Sequence, residues 1–584
     1  MPISLLPPAL LALVGFLGWG IFDRLFEPEA VPEPDHEAVA AAVSAEVEGP
    51  RVEGRPLRLH PATAAAYAGD APAARWQTAA ARTQIADLLR DAAADGVGPD
   101  EVHAETADRL LRRLAETEAS WAALEGEERE ALPDPRPARL AEADLVLTDG
   151  LFRLGDALRG RRADPEKLYP GTWFAHPRDA DGAAFRALVE AVETGRPAAV
   201  RRALDGLRPQ QDGYRRLRQR LGALQDSLAP IPDGPALRAG EHSVRVPHLR
   251  DRLTALGYAD GDPRGAWNRP DPYLLDDSLA AALARFEAAH GVEPDSVLDA
   301  EATAALNADP DGLRRRLALN LERWRWLPDD LGERFVWVNL PAYELRVLER
   351  SDSVATGYAE RLRMPANIGN ALTTGWTTPV ITDSVHTLEF QPAWYVPRSL
   401  AAADIFPMAR ADSLSLWRRG IEAYRNGRPV DTRLVPWDSV SIGEFRFVQR
   451  PGPSNPLGRV KFMMHNPYAI LIHDTNKRYS FDDGAGSSMS SGCVQAGAPD
   501  ELAEYLLTTT NGWEPGAARR AWQSGPRRGV RLDRPFLSHF TYFTAWAEPG
   551  GALRLYGDPY GYDDRLAEAL GLLDPEAEAP PAAS

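Results

Sequence analysis

Between about Arg55 and Pro230, apolar residues recur every three or four positions, in Ile85, Leu88, Leu89 and Ala92 and again in Leu145, Leu147, Leu151, Phe152 and Leu154. That period marks amphipathic helices, and Gly96, Gly98 and Pro99 stop the first run. The pattern predicts a helical scaffold domain over residues 55–235, with no catalytic spacing in it. From His242 to Asn307 the same period comes in three shorter pieces. They are Val246, Leu249, Leu253 and Leu256 before Gly257; Leu279, Leu283 and Phe286 before Gly291; and Ala302 to Leu306. Three short helices with glycine stops are expected there. After a connector (residues 311–333) that includes Arg323-Trp324-Arg325-Trp326, the period shortens. Phe335–Asn339, Leu345–Leu348, Lys461–Met464 and Tyr468–Ile472 read as strands. A β-rich domain is therefore expected over residues 334–560, with a helical insertion at about Ser399–Asn426 that could cover a site on the sheet. The Ala-, Pro- and Glu-rich end of the chain, within residues 561–584, reads as a disordered tail.

At the other end, Ile3 to Phe22 is a twenty-residue stretch without a charge, about the thickness of a bilayer core at 1.5 Å per helical residue. Residues 1–25 are expected to anchor the chain in a membrane. Pro7, Pro8 and the lack of a preceding basic residue weaken that reading, and a cleaved signal is the alternative. The acidic, Pro-rich residues 26–54 follow as a flexible linker, and the bulk of the chain is expected on the far side of the membrane. At 584 residues the chain is long enough for about three or four domains. Its formal net charge of -18 argues against a nucleic-acid partner, because phosphate binding needs a basic face. Lys167, Lys461 and Lys477 are the only lysines. A single cysteine leaves no internal disulfide and no multi-cysteine metal site, and no His-x-x-x-His spacing suggests zinc. No cofactor is expected.

The chemistry lies in Ile470-Leu471-Ile472-His473-Asp474-Thr475-Asn476 and, after a gap, Ser490-Ser491-Gly492-Cys493-Val494-Gln495. The apolar run before His473 is expected to be a buried strand delivering the imidazole beside the loop that holds Cys493. A thiol attacks as the thiolate, and a neighbouring histidine can take its proton. Gly492 lets the backbone approach closely, and amides around Gly492 and Cys493, with Ser491 beside them, could face an oxyanion. Pro499, Asp500 and Glu501 open a helix that fixes the loop.

This arrangement resembles the L,D-transpeptidase (YkuD-like) catalytic domain, and the flanks resemble its large YcbB-like branch. They include Leu319-Asn320-Leu321-Glu322-Arg323-Trp324-Arg325-Trp326-Leu327-Pro328, Thr378-Pro379, Pro392-Ala393-Trp394-Tyr395-Val396-Pro397, Asn455-Pro456-Leu457-Gly458-Arg459 and Asp558-Pro559-Tyr560-Gly561. Residues 240–310 are similar to a peptidoglycan-binding module. The resemblance implies acyl transfer on peptidoglycan stem peptides. Cys493 is the nucleophile and His473 the general base; a tetrapeptide donor forms a thioester, and the diaminopimelate amine of a second stem accepts the acyl group to give a 3-3 cross-link. It implies substrate contacts from Gln495, Trp394, Tyr395, Asn455, Lys461, Asp474 and Thr475, and an insertion at about 395–440 acting as a lid. A single-pass protein of the inner membrane facing the periplasm fits this work. Two positions depart from the family. Ser491 stands where most members have histidine, and Gln495 where arginine is usual, so a carboxylate grip is replaced by a neutral hydrogen bond. Transfer to water, giving an L,D-carboxypeptidase, and an inactive wall-binding scaffold remain the rival readings.

Overall fold

The computed structural model describes residues 33–573 except 69–72, 125, 161, 175–181, 225–228, 260–270, 291, 308–309, 355–356, 374, 483, 524–525 and 550–551. The apolar stretch Ile3–Phe22 and residues 574–584 lie outside the described residues. Among those described, no helix is long and apolar enough to cross a membrane. The chain divides into two compact units. One comprises residues 1–90, 99–153 and 189–201, the other 91–98, 154–188 and 202–584, so neither follows the limits 55–235.

The first unit is helical. Its core gathers Val39, Val43, Tyr67, Leu114, Leu140 and Leu145, so the expected flexible linker 26–54 holds a packed helix, His36–Glu48, whose apolar Val39 and Val43 lie one turn apart on its buried side. Two buried carboxylates tie its loops to the helix Arg136–Leu158. Asp144 accepts from the Tyr67 hydroxyl at 2.6 Å and from the Trp76 N–H at 2.7 Å. Asp149 accepts from the Thr63 hydroxyl at 2.8 Å and the His60 N–H at 2.6 Å. Buried carboxylates persist only when supplied with donors in this way.

The second unit is built on a ten-stranded sheet. In chain order its strands are β1 (Trp173–Phe174), β2 (Arg334–Asn339), β3 (Glu344–Arg350), β4 (Tyr358–Gly369), β5 (Ile381–Phe390), β6 (Val460–Met463), β7 (Ile472–His473), β8 (Ser488–Ser490), β9 (Val494–Ala496) and β10 (Arg528–Thr541). Their spatial order is β6-β7-β9-β4-β3-β2-β10-β5-β1, with β8 beside β4. β6 also pairs with β5, from Val460 opposite Phe390 to Met463 opposite Thr387, which closes eight of the strands into a barrel and leaves no free edge among them. The register stacks Leu388, Phe462, Ile472 and Val494 in one row across β5, β6, β7 and β9. All four are fully buried in the core. Because side chains alternate along a strand, the next residue of each strand points the other way.

Several elements differ from the sequence expectation. β1 arises inside the region expected to be helical and pairs parallel with β5; its two aromatic residues are poor helix formers and good edge-strand residues. The connector is the helix Pro310–Trp326, which buries Leu317, Leu321 and Trp324 and pairs its buried Arg323 with Asp563 at 2.7 Å. That partner lies in the helix Tyr562–Ala569, so residues 562–569 are no tail: Tyr562 and Leu566 are buried in the barrel core. The insertion is helical only over its first part, in short helices between Arg398 and Arg418. It then forms strands Ile421–Arg425, Arg428–Val430 and Phe445–Gln449, which join Trp394–Tyr395 in a separate four-stranded sheet. Alternating Ile421, Ala423, Phe445 and Phe447 pack with Trp437 into a core of their own. Residues 468–471 are turn and coil rather than strand. The module at 240–310 contains the helices Val246–Ala255, Asp277–His290 and Ala300–Asn307, and His290 is half-buried, stacked on Phe286.

Candidate active site

One residue along from the buried row, the barrel carries a polar row. Glu389, Lys461, His473, Gln495 and Asn367 are register neighbours across β5, β6, β7, β9 and β4. Cys493 precedes Val494 at the start of β9 and stands level with Leu471, whose carbonyl accepts the Val494 N–H. Alternation therefore puts Cys493 and His473 on the same face, two residues apart along adjacent parallel strands. With strands about 4.8 Å apart and a rise of about 3.3 Å per residue, their Cα atoms lie roughly 8 Å apart, and no hydrogen bond joins the two side chains among the described residues. The insertion leaves the barrel after Phe390 and re-enters at Val460, one residue from Glu389 and Lys461 in this row.

The histidine is fixed from behind. Its Nδ1 donates to the carbonyl of Asp474, which leaves Nε2 as the bare, proton-accepting nitrogen. Asp474 is itself held. Its carboxylate accepts from the N–H of Arg459 (2.9 Å) and of Thr475 (2.7 Å), from Arg478 (2.8 Å) and from the Trp522 indole (3.2 Å). Gly458 has φ +60° and a Cβ there would run into that carboxylate, so only glycine fits. Burial pushes His473 down to about 4, a depression the carbonyl of Asp474 partly offsets and Lys461 deepens. Burial likewise pushes the Cys493 thiol up to about 11, with a backbone hydrogen bond from Leu471 opposing it. Both groups rest neutral at ordinary pH, so a thiolate at Cys493 would have to form by proton transfer.

The cysteine loop is laced to the barrel. Ser490 Oγ donates to the Cys493 carbonyl at 2.5 Å and accepts the Gly492 N–H at 3.2 Å. Thr378 Oγ donates to the Gly492 carbonyl at 2.8 Å and accepts the Gly369 N–H at 2.8 Å. Tyr560 donates to the Gly369 carbonyl at 2.9 Å. Gly492 has φ +114°, and a Cβ would meet Ile470 at 3.3 Å. With the Gly492 N–H committed to Ser490, the Cys493 N–H has no partner among the described residues, and neither does that of Ser491.

The remaining candidates fall into two groups. Gln495 is half-buried in the polar row, and Ser491 is exposed beside Cys493. Lys461 lies in the row but is paired with Glu389 at 2.9 Å. Asp474, Thr475 and Asn455 are buried and bonded within the protein; the Asn455 amide donates to the Pro392 carbonyl at 2.9 Å and the Thr475 hydroxyl accepts from the Lys477 N–H at 3.1 Å. Trp394 and Tyr395 belong to the insertion, opposite Gln449 and Val448; Tyr395 is exposed, with Arg527 over its ring. The sequence reading gave no role to Asn367, Ser490, Thr378, Glu389 or Trp522. Asn367 carried a signal, a polar residue facing opposite the alternating Met364, Ala366 and Ile368. Trp522 comes from a helix remote in sequence and carried none. Among the described residues no cluster of three or more metal-binding side chains occurs.

Residues 333–515 match the L,D-transpeptidase catalytic domain family, YkuD. This segment is a YkuD domain. Residues 61–221 match a family described as a scaffold domain. A Haemophilus influenzae protein named "Putative L,D-transpeptidase" is 30% identical to this chain over 261 residues, 44% of the chain and 49% of that protein. The chain thus spans about half the length of that relative. The YkuD match encloses β2 to β9, both chemistry-bearing segments and the insertion.

Proposed function

We propose that this protein cross-links peptidoglycan stem peptides through a Cys493 thioester, as an L,D-transpeptidase making 3-3 links. The observation that carries the proposal is His473 Nδ1 donating to the Asp474 carbonyl, which leaves Nε2 as a base on the same face as Cys493. In the first half-reaction Sγ attacks the carbonyl carbon of the third residue of a donor tetrapeptide, and its proton passes to Nε2. The Cys493 N–H receives the oxyanion. The C–N bond to the terminal D-alanine breaks, His473 returns the proton to the departing amine, and the thioester remains. In the second half the diaminopimelate amine of another stem attacks the thioester carbonyl, gives a proton to Nε2, and the sulfur leaves and is reprotonated.

Water competes with that amine, so a cover is needed while the thioester waits. The insertion is suited to it, since it has its own core and springs from the barrel beside the polar row. We assign the work to the periplasmic side of the inner membrane, with Ile3–Phe22 as the anchor, on the strength of that segment's length and lack of charge. The test is a carbapenem mass shift on intact protein, with Cys493→Ala as control, followed by incubation with tetrapeptide muropeptides. Adduct on the wild type alone and dimeric products support transfer. Tripeptides alone indicate an L,D-carboxypeptidase, and no adduct with no product indicates an inactive scaffold.

A further inference from the structure

Gln495 stands in the polar row two residues from the nucleophile, and its amide is oriented by a neighbour that has no freedom left. Asn367 is fully buried and uses its whole hydrogen-bonding capacity inside the protein. Its Oδ1 accepts the Ser487 N–H (2.9 Å) and hydroxyl (3.0 Å). Its Nδ2 donates to Ser480 Oγ (2.8 Å) and to Gln495 Oε1 (3.1 Å). The Gln495 oxygen is thereby turned toward β4. Its Nε2 has no partner among the described residues, and the side chain is half-exposed. What Gln495 offers a ligand is two N–H donors and the remaining lone pair of Oε1, a set complementary to a primary carboxamide.

A carboxylate would be poorly served here. It would meet the Oε1 lone pair as well as the N–H donors, and the lysine of the row and Arg478 are both already paired. Lys461 pairs with Glu389 at 2.9 Å, and Arg478 pairs with Asp474 at 2.8 Å. Building on the transpeptidase reading above, we propose that Gln495, held by Asn367, makes this an amide-reading site. The donor stem it prefers carries a carboxamide, not a free carboxylate, at the third-residue side chain.

The test uses the full-length protein and two tetrapeptide donors that differ only in whether the side-chain carboxyl of diaminopimelate is free or amidated. Acylation of Cys493 is followed by intact mass. The wild type is expected to acylate at least about tenfold faster with the amidated donor, because a site built for one hydrogen-bonding pattern leaves its own polar groups unpaired with the other. Gln495→Arg, which restores a bidentate carboxylate grip, shifts the preference toward the free acid by about tenfold or more. The wild-type ratio decides the matter even if the variant does not fold. A ratio within about twofold, or one favouring the free acid, overturns the specificity proposal while leaving the transpeptidase reading intact. If neither donor leaves an adduct on Cys493, both fall.

Discussion

The imidazole of His473 donates its Nδ1 proton to the main-chain oxygen of the very next residue, Asp474. A side chain bonded to its own neighbour's backbone cannot flip without breaking that bond, so the tautomer and the direction of Nε2 are set together. Asp474 thereby has two duties: its carbonyl orients the base, and its carboxylate, with four donors on it, keeps the carbonyl in place.

The pH profile of acylation follows from the two shifts. With His473 pushed down to about 4, the base is available above that pH; with Cys493 pushed up to about 11, no thiolate plateau begins below it. The carbapenem acylation rate is expected to be half-maximal near pH 4 and level through neutrality, measured by intact mass from acid to mildly alkaline pH. A midpoint near an ordinary imidazole value of about 6.5 would contradict this. The same depression acts on stability. Unfolding lets His473 take up a proton between about 4 and 6.5, so its contribution is complete above that window and is lost as pH falls through it.

Replacing Asp474 tests the clamp. Asp474→Ala strands two backbone N–H groups, Arg478 and the Trp522 indole, and is expected to cost about 3 kcal/mol or more of stability. Asp474→Asn retains one acceptor oxygen and is expected to fold, with slower acylation and a pH midpoint moved further down, because the lost charge and the loosened carbonyl both hold the imidazole pKa up in the wild type. Urea titration and the acylation profile separate the two effects; an unchanged profile in Asp474→Asn would remove the clamp from the mechanism.

Thr378 bridges Gly369 to Gly492 with one hydroxyl. Thr378→Val keeps the shape and loses both bonds, at a cost of about 1–3 kcal/mol, and it frees the Gly492 carbonyl beside the nucleophile. Acylation is expected to slow about tenfold or more, whereas Thr378→Ser retains both stability and rate. Equal rates in the two variants would show that the bridge does not position the loop.

The insertion should be separable from the barrel. Trp437 is buried in the insertion's own core and donates its indole N–H to the Thr432 carbonyl at 2.9 Å. Trp437→Ala is expected to destabilise that core by about 3–5 kcal/mol, bringing limited proteolysis into residues 394–449 while the main thermal transition stays in place. If the insertion guards the thioester, tripeptide products rise relative to dimers in the same variant. An unchanged product ratio alongside new cleavage would deny it that role.

Much of this was legible in the chain because local pattern and global fold agree. Phe462 and Ile472 of the buried row lie in apolar runs that read as strand, and His473 stood out at the end of such a run with Cys493 as the lone thiol beyond a glycine, whereas Leu388 and Val494 lie in strands that the pattern did not single out. The failures have a common cause. Arg323 and Asp563 are 240 residues apart in number yet form one buried pair, so neither the helix Pro310–Trp326 nor the one at Tyr562 announces its partner locally. Closure of the barrel by β5 and β6 is likewise a long-range pairing across the whole insertion, and the insertion's strands are too short for period alone to separate them from helix. Asn367 and Trp522 matter only through residues more than forty positions away, which no sequence window contains.

The insertion enters and leaves through a single facing pair, Phe390 and Val460. A guest domain seated on so narrow a doorway can be lengthened, shortened or exchanged beyond its foot without a strand of the barrel being redrawn, provided Gly458 and Arg459 keep their fit to Asp474. Under the transpeptidase function proposed above, diversity in which acceptor is admitted can accumulate at this one threshold while the machinery behind it stays the same.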